Sequence, residues 1–288
     1  MYKFDPTGDS VESAFRAVAL SQLDEALADL DPDAVDGRSV VHEARRRCKK
    51  LRGLLRLVRP AFSDFVRENA AIRDAAALLS HLRDAEVLQH TVADLCRQSD
   101  DPALRRIAER LAGTTLAAPD PQKLGEFRER LRAVQQRAAE WTLTKSGPDA
   151  VMSGLRRTYR DNRRRMARSR RSGVPIDFHE WRKANKYHGF HLDLLRKVAP
   201  DLLADDLRIV EQLSDLLGRH HDLTVLAETA HHLPERFGDN ADVGLMLSVA
   251  ASSKVEIEQQ AFGLGRQILA ERPRALARRF AEYWSSLA

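Results

Sequence analysis

Residues 41–46, Val-His-Glu-Ala-Arg-Arg, return in related form as residues 178–183, Phe-His-Glu-Trp-Arg-Lys. The two segments lie 137 residues apart. A second pair follows about 40 residues downstream, where Leu82-Arg83-Asp84 aligns with His220-His221-Asp222 at a spacing of 138 residues. Two matches at nearly the same spacing predict an internal duplication of a unit of roughly 140 residues.

The sequence on either side of these segments is helical in pattern almost throughout. Ala, Leu, Arg, Glu and Gln dominate, and apolar residues recur every three or four positions. The 14 Gly and 11 Pro are too few for a turn-rich β architecture. The pattern predicts helices over residues 10–30, 39–59, 63–98, 102–116, 123–143, 149–171, 177–198, 203–219, 223–232, 242–271 and 274–287.

We therefore predict an all-α fold of two antiparallel helical bundles that are related by a pseudo-twofold axis. Residues 1–146 would form the N-terminal bundle and residues 147–288 the C-terminal bundle. Asp177, followed three residues later by Glu180, predicts a capping box at the start of the helix over 177–198.

Several classes of protein are disfavoured by the composition. No apolar run approaches the roughly 18 residues that a membrane span needs, and the first residues have no apolar signal core. The two cysteines, Cys48 and Cys96, cannot form a disulfide framework. We expect a cytoplasmic protein that has no contact with a membrane.

Positive charge is concentrated in three segments, although the net charge of the chain is only +5. Residues 42–59 contain eight basic and one acidic residue, residues 156–171 contain nine and one, and residues 179–197 contain five and two. The basic residues are 38 Arg and 9 Lys, and the Arg fork matches phosphate oxygens well. A GC-rich genome would explain the Arg total, but it does not explain the clustering.

The first copy of the repeated helix carries its cations on one face. On a helical wheel, six side chains lie within about 120° of one another, and the apolar residues lie opposite. These six are His42, Arg45, Arg46, Lys49, Arg52 and Arg56. Cations at this spacing repel one another, so either the acidic remainder of the chain or an external polyanion must neutralise them.

A third basic helix is predicted directly before the second copy. Arg156, Arg160 and Arg163 fall on one side of it, together with Tyr159. The turn at Gly173–Pro175 predicts that this helix runs antiparallel to the helix over 177–198, which would gather phosphate-binding groups into one groove.

The duplicated pattern H-x-x-R-[RK]-x-x-K, followed by Asp84 and Asp222 elements, resembles the CHAD family over nearly the whole chain. The resemblance implies an all-helical domain whose basic residues line a central groove or pore and bind inorganic polyphosphate. It also implies an association with polyphosphate granules. The E-x-E-x-K signature of the CYTH domain, to which some members are fused, is absent, so the chain resembles a stand-alone member.

Carried over by position, the resemblance assigns ligand-facing residues in both copies. Gly189 stands where the first copy has Arg52, so the second stripe is thinner. The first copy supplies His42, Arg45, Arg46, Lys49 and Arg52, and the second supplies His179, Arg182, Lys183 and Lys186.

The remaining histidines raise the alternative of a metal-dependent phosphohydrolase. His220-His221-Asp222 resembles a metal-binding signature, but the aligned Arg83-Asp84 would not ligate a metal in the same way. His188 and His191 align with Leu51 and Leu54, which predicts that both are core residues.

The sequence contains no phosphate-binding Gly-rich loop and no nucleophile elbow. We therefore expect a binding protein that has no catalytic residues, metal or cofactor. A nucleic-acid-binding protein, a phosphohydrolase and a structural scaffold stay open as alternatives.

Overall fold

Helices account for most of the protein. Its computed structural model describes residues 2–5, 7–8, 10–29, 37–79, 84–113 and 120–287, without the side chains of residues 37–39 and 84. No β-strand occurs within these ranges, so the predicted all-α class is confirmed. None of the described helices combines the length and the hydropathy that a membrane span needs.

Eleven α-helices lie within the described ranges. In chain order they are α1 (Val11–Ala28), α2 (Gly37–Val58), α3 (Phe65–Ala77), α4 (Asp84–Gln98), α5 (Pro102–Ala112), α6 (Pro121–Ala138), α7 (Asp149–Ser172), α8 (Pro175–Leu194), α9 (Pro200–His232), α10 (Asn240–Ile268) and α11 (Pro273–Ser285).

Proline and short polar residues set many of the helix starts. Asp101 and Asp120 each accept a hydrogen bond from a backbone N–H of the first turn, and Pro102 and Pro121 occupy the next position. At α8 the predicted capping box is wrong, because the helix begins two residues earlier at Pro175. Asp177 instead accepts hydrogen bonds from Ser172 and Arg168 at 2.6 and 2.8 Å, which join the end of α7 to the start of α8.

Two hydrophobic cores hold the helices together. The larger core contains buried residues of α1, α2, α3, α6, α7, α8 and α11, with the first half of α9 and the second half of α10. The smaller core joins α4 and α5 to the second half of α9 and to α10 as far as Ile257, and Leu95, Ile107, Leu226 and Met246 are fully buried in it.

The smaller core differs from the expected division into two bundles at residue 146. Helices α4 and α5 belong to the first half of the chain, but they pack against α9 and α10 of the second half. The apolar faces of this hairpin are therefore covered by helices that follow more than a hundred residues later. Displaced by 137 residues, α3 would fall within α9 and most of α4 would overlap the end of α9, and the duplication itself stays a prediction.

Helices α2 and α8 cross in close contact at Gly53. A Cβ atom at Gly53 would lie 2.9 Å from the Cβ atom of Phe190, and His191 Nε2 lies 3.0 Å from the Gly53 carbonyl oxygen. Gly53 and Phe190 are also aligned at the repeat spacing of 137 residues. A twofold axis brings equivalent positions into contact, so the crossing lies where such an axis would pass.

Candidate functional site

Helix α2 directs its basic face away from the larger core because its apolar face packs into that core. Ala44, Cys48, Leu51 and Leu55 are fully buried. Burial raises the pKa of the Cys48 thiol to about 12, so this cysteine is an uncharged core residue. Helix geometry then places the cations on the opposite side, as the sequence predicted.

Helix α8 is oriented by the same principle. Trp181, Asn185, His188 and Leu192 are buried against α7, α9 and α2. Asn185 donates hydrogen bonds to the Val210 carbonyl at 3.1 Å and to Ser214 at 2.9 Å, which fixes the rotation of α8 against α9. The basic residues of α8 consequently face α2.

A cavity of about 320 Å³ lies between the two basic faces, and we call it the central groove. Among the residues that line it, six carry a positive charge and Asp222 alone is a carboxylate. Its lining comprises Arg45, Lys49 and Arg52 of α2, His179, Arg182, Lys183, Lys186, Tyr187 and Phe190 of α8, Val87 of α4, and His221, Asp222 and Val225 of α9.

A second cavity, of about 370 Å³, adjoins the central groove. Lys49, Arg182, Lys186 and Phe190 line both cavities, so cations from α2 and α8 stand at the junction. The other members of its lining are His42, Arg46, Lys50, Gly189, Asp193, Arg196, Leu207, Val210, Glu211 and Ser214.

Helix α3 supports the arginines of α2 from behind. Asn69 Oδ1 accepts hydrogen bonds from Arg52 Nε at 3.2 Å and from Arg56 Nη1 at 3.3 Å. Arg45 Nη1 donates to the Ala76 carbonyl at 3.3 Å. Burial lowers the pKa of the Arg52 guanidinium, because removal from water disfavours its charge. These neutral acceptors position the guanidinium groups.

Two histidines meet in the central groove. The rings of His179 and His221 lie 4.6 Å apart between centroids, and His179 is half-buried. Burial lowers the pKa of His179, and the nearby charges of Lys183 and Arg182 lower it further. This imidazole is therefore mostly uncharged at neutral pH and gains a proton most readily when negative charge arrives beside it.

The structure places the three α7 residues of the prediction away from the central groove. Arg156 and Arg160 are exposed and line none of the basic cavities described here, and Arg163 Nη1 donates to the Glu271 carbonyl at 2.5 Å. The reason is that Tyr159, on the same side of α7, is fully buried and its hydroxyl donates to the same carbonyl at 3.1 Å. Tyr159 and Arg163 therefore turn toward the segment before α11, and Arg156 and Arg160 extend into solvent.

In its second copy, the downstream element lies beside the basic helices. Leu82 and Arg83 lie outside the described residues, as does the side chain of Asp84. His221 and Asp222 line the central groove itself, while His220 is buried, stacks on Phe178 and lies 2.9 Å from Glu258 Oε1. No group of three or more His, Cys, Asp or Glu residues that could hold a metal ion occurs in the described part of the chain.

The two histidines predicted to be core residues are buried. His188 is 1% exposed and His191 is fully buried, so both predictions are confirmed.

Sequence reasoning missed the aromatic and additional basic residues of the site. Tyr187 and Phe190 line the central groove, and Lys50 and Arg196 line the second cavity. A signal existed for Phe190, because it falls within the basic stripe on the helical wheel of α8. Tyr187, Lys50 and Arg196 carried no such signal, since they lie beside the stripe and reach the cavities only through the crossing of α2 and α8.

These features define an all-α protein in which two aligned basic helices border a cation-lined groove. Residues 17–231 match the family model described as the CHAD domain, which covers about three quarters of the chain, and the protein therefore belongs to the CHAD family.

Two solved structures have a similar fold. The crystal structure of the CHAD domain from the plant Ricinus communis superposes with a TM-score of 0.63 at 18% identity, over 93% of this chain and 94% of that one. PptA from Streptomyces chartreusis superposes with a TM-score of 0.58 at 13% identity, over 91% of this chain and 100% of that one. No curated protein matches the chain in sequence.

Proposed function

We propose that the protein binds inorganic polyphosphate in the central groove and catalyses no reaction on it. One observation carries the proposal: Lys49 of α2 and Arg182 and Lys186 of α8 line both the central groove and the second cavity. A flexible chain of phosphates that passes between the cavities would meet cations from both helices at this junction. Family membership supports the same ligand class.

The energy of binding would come from charge-assisted hydrogen bonds and from the release of counterions. Arg and Lys donate short, strong hydrogen bonds to phosphate oxygens. Each phosphate that is neutralised releases condensed cations, so affinity should fall steeply as the salt concentration rises. The groove offers these donors without a matching set of carboxylates to hold Mg²⁺, since Asp222 is the one carboxylate in its described lining.

The proposal is tested by replacing Arg45, Lys49 and Arg52 together with Ala. We expect the affinity for long-chain polyphosphate to fall at least tenfold, which is roughly the binding free energy of one charge-assisted contact. The helicity of the protein should not change. Titration calorimetry measures the affinity, and circular dichroism measures the helicity. A matched control replaces three exposed arginines at and after the start of α11 with Ala, namely Arg272, Arg274 and Arg278, which line neither cavity. An affinity within about twofold of wild type for the triple variant would refute the proposal.

Single-stranded nucleic acid is the second candidate, because Tyr187 and Phe190 line the central groove. Bases bind single-strand proteins by stacking on such rings. Against this, Arg56 already covers the Tyr187 ring at 4.2 Å from its centroid, which leaves less of the ring for a base. Competition decides between the two: polyphosphate should displace a bound oligonucleotide, and an oligonucleotide that polyphosphate fails to displace would favour the second candidate.

A cytoplasmic location and an association with polyphosphate granules follow from the proposed function. Fluorescence microscopy of the tagged protein against a polyphosphate stain would show whether the two coincide. The triple variant should lose any coincidence, because it keeps the fold and lacks the groove cations.

A further inference from the structure

A third cavity, of about 220 Å³, lies beside the central groove between the end of α2, α7 and α8, and we call it the flanking pocket. Five cations line it, namely Arg56, Arg59, Arg157, Arg165 and Lys183, together with the carboxylates Asp161 and Glu180. Lys183 and Tyr187 line both the flanking pocket and the central groove, so the two spaces meet across these side chains.

The carboxylates of the flanking pocket are already engaged. Glu180 pairs with Arg165 at 3.2 Å and with Lys183 at 2.6 Å, and Asp161 pairs at 3.0 Å with Arg164, which is not part of the pocket lining. Three arginines of the pocket, Arg56, Arg59 and Arg157, form no ion pair within the described part of the chain. The pocket therefore carries an excess of positive charge that the protein itself does not neutralise.

The three arginines are held close enough to repel one another. Arg56 stacks on Tyr187 at 4.2 Å and Arg59 stacks on Phe65 at 4.4 Å, which limits their freedom to move apart. Burial lowers the pKa of Arg59, and the charges of Arg157 and Arg56 lower it further, while the Asp161 carboxylate offsets part of this effect. A cluster of cations that is fixed by aromatic rings and open to a cavity is an arrangement that an anion stabilises.

We infer that the flanking pocket is a second phosphate-binding subsite, and that it takes the part of a condensed-phosphate chain that extends beyond the central groove. This inference rests on the proposed function. It makes the protein selective for chain length, because a chain long enough to reach both spaces gains the second set of contacts at a high effective concentration. A short chain fills the central groove and leaves the flanking pocket empty.

The experiment compares tripolyphosphate with long-chain polyphosphate on the double variant Arg59→Ala, Arg157→Ala. We expect the affinity for the long chain to fall about tenfold or more and the affinity for tripolyphosphate to stay within about twofold of wild type. The dependence of log affinity on log salt for the long chain should also become shallower by roughly one to two units, because two phosphate contacts are lost.

The matched control is Arg156→Ala, Arg160→Ala, which removes the same charge from α7 at residues that do not line the flanking pocket. The control should bind both ligands as wild type does. If the Arg59 substitution impairs folding through its contact with Phe65, the single variant Arg157→Glu provides the test, because Arg157 is exposed.

Three results would overturn the inference: equal binding of the long chain by the double variant and wild type, an equal loss for both ligands, or the same loss in the control variant. Failure of the wild-type protein to bind either ligand is a separate outcome, since it refutes the proposed function and the inference with it.

Discussion

Acid should destabilise this protein through two neutral histidines in its core. Burial holds the pKa of His188 at about 4 and that of His191 at about 3, against about 6.5 in an unfolded chain. Because the unfolded state binds a proton at each ring from about pH 6.5 downward while the folded state does not, stability is present above this pH and is lost as the pH falls.

The expected magnitude follows from linkage. Between pH 7 and pH 5 each of the two rings should remove about 2 kcal/mol of stability, so the pair accounts for about 4 kcal/mol. Replacing His188 with Leu should halve this part of the loss. Leu51 occupies the aligned position of the repeat, the His188 ring meets Tyr159 edge-on at 5.2 Å between centroids, and its Nδ1 forms no hydrogen bond among the described residues, so Leu should fit the site.

Urea unfolding at pH 7 and at pH 5, followed by circular dichroism, measures the loss in wild type and in His188→Leu. The control is His232→Leu, in which the replaced ring is exposed at the end of α9. If His188→Leu loses as much stability on acidification as wild type does, His188 is not a neutral buried ring and the reasoning is wrong.

Two further predictions concern the helix contacts and the groove. Gly154→Ala should destabilise the fold by about 2 kcal/mol or more, because the new Cβ would lie 1.7 Å from the Leu57 carbonyl oxygen. Gly125→Ala in α6, where nothing else that the structure describes lies within 4 Å of the new Cβ, should instead stabilise the fold by up to about 1 kcal/mol. Thermal unfolding of both variants checks the pair, and equal effects would contradict this prediction. Polyphosphate binding should take up a proton at His179, because the lowered pKa of the free ring must rise beside a polyanion, so affinity increases as the pH falls. Calorimetry in two buffers of different ionisation enthalpy measures this uptake, and His179→Gln should reduce it; an unchanged uptake would assign the proton to another group.

The class of fold and the two basic helices were predictable because they depend on local pattern. Helix periodicity shows which side of α2 is apolar, and burial of that side fixes where Lys49 and Arg52 point. The same logic predicted the buried positions of His188 and His191, since the aligned residues of the first copy are apolar.

The position of the α7 arginines was not predictable in this way. Arg156 and Arg157 are neighbours in sequence, but Arg157 lines the flanking pocket and Arg156 does not. The rotation of α7 about its axis decides which of the two arginines lines the pocket. This rotation is set by the burial of Tyr159 and by the close approach of Gly154 to the backbone of α2. Both are tertiary contacts, and a helical wheel of one segment contains neither.

The sequence predicted some helix boundaries wrongly, at places where tertiary packing overrides the local pattern. The predicted helix over 63–98 is two helices, α3 and α4, whereas the two predicted over 203–219 and 223–232 are one, α9. Helix α9 continues through His220-His221-Asp222 because α8 and α10 cover its first half and α4 and α10 its second. One of these partners, α4, lies about a hundred residues before α9, so a local pattern contains no sign of it.

The shared smaller core has a consequence for synthesis on the ribosome. Helices α4 and α5 emerge from the exit tunnel long before α9 and α10, yet the burial of Val92, Leu95 and Ile107 is completed by those later helices. Until α10 has been translated, the α4–α5 hairpin exposes an apolar surface that other nascent chains or a chaperone can contact. Rapid elongation through α7 and α8 would shorten that interval, whereas a pause there would leave these apolar side chains exposed to aggregation.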